Sequence, residues 1–88
     1  KQAGEAYITN YPNPFGYETT VKYFSNGDLI NISITDVHGR LISTLVNDNI
    51  PHGTHEITFN ASNLKPGTYY CTYQSGLVTQ TRSLLKVR

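Results

Sequence analysis

The feature that most limits what this chain can become is its rhythm: short runs of alternating apolar and polar residues, cut by turn signals about every 8–12 residues. Nowhere do apolar residues recur at the three-to-four spacing of a helix face. The clearest run is 29–35, with Ile30, Ile32 and Ile34 on one side and Asn31, Ser33 and Thr35 on the other. Successive side chains of a strand point to opposite faces, so this run sends three isoleucines to a core and three polar groups to water.

The other segments follow the same logic. Residues 18–25 set Thr19, Val21 and Tyr23 against Thr20, Lys22 and Phe24. Residues 54–60 set His55, Ile57 and Phe59 against Glu56, Thr58 and Asn60. Residues 6–9 read as a short first strand, and 41–46 as a strand returning from a turn at 36–40, with Asn47-Asp48-Asn49 a loop and Pro51-His52-Gly53 a further turn. Asn26-Gly27 predicts a hairpin between 18–25 and 29–35, because both central positions of a type I′ turn need positive φ.

Two segments stand apart. Pro12 and Pro14 forbid a helix and exclude a central strand, so residues 10–16 form a stiff extended loop, with Phe15 its anchor under the sandwich edge. At the other end, Pro66-Gly67 opens a β-prone run at 69–73, Ser75-Gly76 supplies a tight turn, and a last strand follows. That strand carries Thr81, Ser83, Leu85 and Val87 on one face and Arg82, Leu84, Lys86 and Arg88 on the other. The expectation is that the first face joins the core and the second displays its three cations.

Seven short strands make an all-β protein, an immunoglobulin-like antiparallel β-sandwich of about seven strands, without the Cys…Trp…Cys pattern of true immunoglobulin domains. The predicted core is Ile30, Ile32, Ile34, Leu41, Ile57, Phe59, Tyr69, Cys71 and Leu85. No repeat or linker divides the 88 residues, so 1–88 is one domain, with 1–5 a polar linker remnant.

Composition narrows function. A net charge of +1 gives no footprint for nucleic acid, and no apolar run is long enough to span a bilayer, so neither nucleic acid nor stable membrane insertion is expected. One cysteine cannot make an internal disulfide, and by alternation Cys71 points inward, as a small buried hydrophobe rather than a nucleophile. His38, His52 and His55 fall on turns and a strand without the spacing of a metal site. No phosphate loop, nucleophile elbow or carboxylate pair appears. The reading is of a non-enzyme with no catalytic residue, metal or cofactor.

Four motifs then point to a family. They are Tyr11-Pro12-Asn13-Pro14-Phe15, Asp36-Val37-His38-Gly39-Arg40-Leu41, Leu64-Lys65-Pro66-Gly67-Thr68-Tyr69, and a basic tail reaching Arg88. In this order and spacing, over residues 7–88, the chain resembles the type A C-terminal sorting domains of the type IX secretion system.

The resemblance implies a non-catalytic secretion signal continuous with a larger carrier protein. The carrier reaches the periplasm, is recognised through this domain by the type IX translocon and shuttle proteins, and crosses the outer membrane. A sortase-like cysteine protease then removes the domain, and the carrier is attached at the cell surface or released outside the cell. Candidate recognition residues are Pro12, Asn13, Pro14, Phe15, Arg82, Lys86 and Arg88. Asp36, Gly39, Arg40, Leu64, Gly67, Tyr69 and Gly76 would support the fold around them. The family's Lys-rich ending is met here with two arginines, which matters if a receptor requires an ammonium. The alternative is an immunoglobulin-like accessory or carbohydrate-binding module of a secreted enzyme, with the tyrosines as its platform.

Overall fold

Ile30, Ile32 and Ile34 are all completely buried, which fixes the inner face of one sheet and orients everything paired to it. The structure is a computed structural model that describes residues 7–88. Its strands are β1 (Ile8–Tyr11), β2 (Glu18–Ser25), β3 (Leu29–Thr35), β4 (Leu41–Asn49), β5 (Gly53–Asn60), β6 (Gly67–Ser75) and β7 (Val78–Lys86). They form two antiparallel sheets, one in the order β1-β2-β5 and one in the order β4-β3-β6-β7. The expectation for residues 1–5 lies outside the described residues.

The two sheets share one core. Ile8, Val21 and Phe59 come from the three-stranded sheet, and Tyr69, Cys71, Tyr73 and Leu84 join the three isoleucines from the four-stranded one. Each large side chain so buried stabilises the fold by about 1.5–3 kcal/mol before chain entropy is counted. Tyr73 also ties the sheets directly, its hydroxyl donating to the Phe24 carbonyl at 2.8 Å.

The alternation in β2, β3 and β5 is as expected, and β6 and β7 form the terminal hairpin. Gly76 sits at the first of its two loop positions with φ +58°, where a type II′ turn needs a residue without Cβ.

Several expectations are corrected. Asn26-Gly27 makes no hairpin, because β2 and β3 lie in different sheets. Of these two residues only Gly27 has positive φ. Ser25 redirects the chain instead: its buried hydroxyl accepts from the Gly27 N–H at 2.9 Å and donates to the Ile50 carbonyl at 2.7 Å. Asn47-Asp48-Asn49 continues β4 rather than forming a loop, since β3 extends far enough to pair with it. The first strand lies two residues later than read.

Two predicted core residues are outside. Leu41 is 63% exposed, on the edge strand opposite Thr35, beyond two register shifts that break simple alternation. Leu85 is 43% exposed, while Leu84 is fully buried. Ile57 is half-buried and packs against the core.

Candidate functional site

The inversion of β7 changes the geometry of the tail. Tyr69 and Cys71 point inward, and β7 pairs Leu84 opposite Tyr69 and Arg82 opposite Cys71. Directly opposed residues share a face, so Arg82, Leu84 and Lys86 face inward while Leu85 and Val87 face solvent. Two adjacent leucines left the pattern open to a one-residue shift, and such a shift exchanges the two faces of a whole strand. The expected outward row of three cations is therefore not formed.

Lys86 is the residue most affected. It is 2% exposed, with its aliphatic stem inside and its ammonium donating to the main-chain oxygen of Arg88. Its Nζ lies 5.9 Å from the centre of the Tyr17 ring, and the Arg88 guanidinium carbon lies 6.0 Å from the same ring. Both distances suit a cation over an aromatic face. The Arg88 side chain also passes over Gly16, lying 3.7 Å from where a Cβ there would sit. Arg82 stands apart, about 13 Å back along the strand. Its guanidinium donates to the Thr81 carbonyl at 3.2 Å.

Residues 12–15 lie along the outer edge of this strand. The Asn13 carboxamide donates from Nδ2 to the Ser83 carbonyl at 3.0 Å and accepts at Oδ1 from the Leu85 N–H at 2.9 Å. One step on, the Phe15 N–H donates to the Leu85 carbonyl and the Phe15 carbonyl accepts from the Val87 N–H, each at 2.9 Å. Phe15 thus bridges β7 in parallel opposite Lys86, with its ring buried as anchor. The Pro12 and Pro14 peptide bonds are both cis, and the Pro12 carbonyl accepts from the Thr19 hydroxyl at 2.8 Å. An unpaired sheet edge invites pairing by another chain, and here residues 13–15 cover it from 83 to 87.

The remaining motifs build the turns beside this end of β7. Asp36 Oδ1 accepts from the His38 and Arg40 N–H groups at 2.8 and 3.0 Å, and Oδ2 takes the Arg40 Nε at 2.8 Å. The backbone N–H of Arg40 above all holds the Asp36 carboxyl below its usual range, helped by the His38 N–H and the Arg40 guanidinium. Gly39 completes this turn at φ +80°. A shallow hollow of about 240 Å³ joins Asp36 and Arg40 to Lys65, Gly67 and Tyr69. The Tyr69 hydroxyl donates to the Lys65 carbonyl at 2.7 Å, Leu64 packs on the core, and Gly67 pairs opposite Lys86.

The fold therefore gathers all four sequence motifs at one end of the sandwich. Gly76 alone of the singled-out residues lies at the other end, in the β6–β7 turn. Sequence reasoning counted Tyr17 only among the tyrosines of the alternative platform and missed that two tail cations converge on this ring; its place just after the Phe15 anchor was a signal.

Cys71 is buried, and burial pushes its thiol up to about 12. No nucleophile stands ready there. Among the described residues no group of three or more His, Cys, Asp or Glu side chains is placed to hold a metal. His55 instead stacks on Tyr23 at 5.7 Å and its Nε2 meets the Pro51 carbonyl at 2.8 Å. Tyr23, Tyr69 and Tyr73 are buried, which removes them from any exposed platform.

Comparison with curated proteins and with solved structures returns no match. A family model described as "Secretion system C-terminal sorting domain" matches residues 9–87, a span that holds the first three motifs and the tail up to Val87. The chain belongs to this family, the C-terminal sorting domains of type IX secretion, which direct proteins to the cell surface or beyond it.

Proposed function

We propose that the sorting signal is read at the end of the sandwich where residues 12–15 meet 83–88. The observation that carries this reading is the hydrogen-bonded seam from Asn13 and Phe15 to Ser83, Leu85 and Val87, with Lys86 and Arg88 converging on Tyr17. The seam makes the two segments one surface, presenting Arg88, the Tyr17 ring and the outward Leu85 and Val87. The type IX translocon or a shuttle protein docks there while the carrier, continuous with this domain, waits in the periplasm. Arg88 and Tyr17 are the contacts offered to the partner. Pro12, Asn13, Pro14, Phe15 and Lys86 hold them in place, and Arg82 forms a separate contact further along β7. After transport a sortase-like cysteine protease removes the domain, and the carrier is anchored to the surface or released. The domain itself performs no catalysis.

The test is a fluorescent reporter directed to the periplasm and fused ahead of this domain, in a host with a type IX translocon and in a strain lacking it. Release that depends on the translocon, with the domain cleaved off, is expected. Replacing Arg82, Lys86 and Arg88 together is a poor probe, because the buried Lys86 would alter folding as well as recognition. Arg88→Ser and Tyr17→Ser are the informative changes, with melting curves taken alongside. Loss of export in folded variants supports the docking surface; undiminished export in both removes it.

A further inference from the structure

We propose that the outer face of the four-stranded sheet carries a second binding site, for a neutral glycan, centred on Asn31, Asn47 and Gln74. Register places these residues side by side on three adjacent strands, Asn31 of β3 opposite both Asn47 of β4 and Gln74 of β6. With strands about 4.8 Å apart, the three carboxamides form a row about 10 Å long. None of the three makes a side-chain hydrogen bond within the protein, among the described residues. They line an open hollow of about 700 Å³ completed by Asp28, Leu29 and Gly76.

The chemistry of this face selects its ligand. Every outward position is uncharged, from Asn31 and Ser33 on β3 to Thr81 and Ser83 on β7. The outer face of the three-stranded sheet is different, with Glu18, Lys22 and Glu56 all exposed. Asp28 is the one ionisable group at the hollow, and it repels anions, so phosphates and acidic polymers are disfavoured. An extended peptide is disfavoured on this face too. Such peptides pair with a sheet edge, which here is the far side of β4, while β3 and β6 are hydrogen-bonded on both sides and the face across them offers side chains alone.

A carboxamide presents a donor and an acceptor together, and a sugar hydroxyl both donates and accepts. A row of three free carboxamides is matched by a ligand with a row of hydroxyl pairs. The exposed Leu29 at the rim gives the C–H face of a sugar ring something apolar to rest on. The site lies on the sheet face away from Tyr17 and Arg88, and goes beyond the sorting function.

The test is a titration of the nitrogen-labelled chain, followed by the side-chain amide signals. The probes are neutral cello-, malto- and manno-oligosaccharides at millimolar concentration, with oligogalacturonate as the acidic comparison. The Asn31, Asn47 and Gln74 amides are expected to shift with at least one neutral probe and not with the acidic one. Asn31→Thr and Gln74→Thr, on a solvent-facing surface, should each weaken that binding roughly three- to tenfold with melting preserved. Static amides with every neutral probe, shifts confined to another face, an equal response to oligogalacturonate, or binding indifferent to both variants would each overturn the site. Both variants leave Tyr17 and Arg88 untouched, so their behaviour is separable from sorting.

Discussion

Asn13 and Leu85 lie 72 residues apart in sequence and meet through a single hydrogen bond, the Leu85 N–H donating to Asn13 Oδ1 at 2.9 Å. The same carboxamide donates to the Ser83 carbonyl. One side chain thus fills the donor and acceptor places that a neighbouring strand's backbone would fill, and only an amide carries both functions at that reach.

Asn13→Ala removes both bonds, and at about 1 kcal/mol each the loss should be roughly 1–3 kcal/mol. Asn13→Asp keeps the acceptor and loses the donor at neutral pH, so its urea-unfolding midpoint should fall between those of the parent and the Ala variant. If both variants unfold with the parent, the carboxamide bridge contributes nothing to stability.

Lys86 separates burial of a stem from use of a charge. Lys86→Met preserves most of the buried length and loses the bond to Arg88, so a cost of about 1 kcal/mol or less is expected; Lys86→Ala opens a void and should cost roughly 2–4 kcal/mol. Calorimetric melting of the two variants decides. Equal, small losses would place the side chain in solvent.

The inversion of β7 has its own test. Ile32→Ala should cost about 2–5 kcal/mol, whereas Leu85→Ala and Leu41→Ala, both on exposed positions, should stay within about 1 kcal/mol. A Leu85 variant as damaging as the Ile32 one would restore the opposite face assignment.

Alkaline stability should report Cys71. Its thiol is raised from 9.0 to about 12 by burial, so the folded state holds its proton where the unfolded chain gives it up. The contribution is fully present below about pH 9 and is lost as pH rises toward 12, at up to about 1.4 kcal/mol per pH unit. Burial raises Tyr23 and Tyr73 as well, which adds to the decline at the upper end of that window. Urea unfolding at pH 8 and pH 10 should therefore show a smaller drop for Cys71→Ala than for the parent. Identical drops would mean the thiol titrates alike in both states.

What the sequence made legible was the inner faces of strands with strict alternation. Ile30, Ile32 and Ile34 could be placed because each polar neighbour agreed. Where two apolar residues stand together, as Leu84 and Leu85 do, alternation has no vote, and the partner strand decides through Tyr69. Asn26-Gly27 misled because turn chemistry is local, while the choice of sheet for β2 and β3 rests on pairing with β5 and β6. The motifs of the site were visible one by one. Their convergence was not, since the bonds from Asn13 to β7 span most of the chain and no local signal encodes them.

The seam from residues 13–15 to 83–87 also sets an order in time. The loop emerges early in synthesis, and its hydrogen-bond partners arrive only with β7, after five further strands have been made. A chain interrupted before Ser83 leaves the Asn13 carboxamide and the Phe15 backbone without their partners, and β6 without the pairings from Gly67 to Tyr70. The surface around Tyr17 is assembled only once translation has passed that point, so a partner that docks there meets it only after β7 has been made and paired.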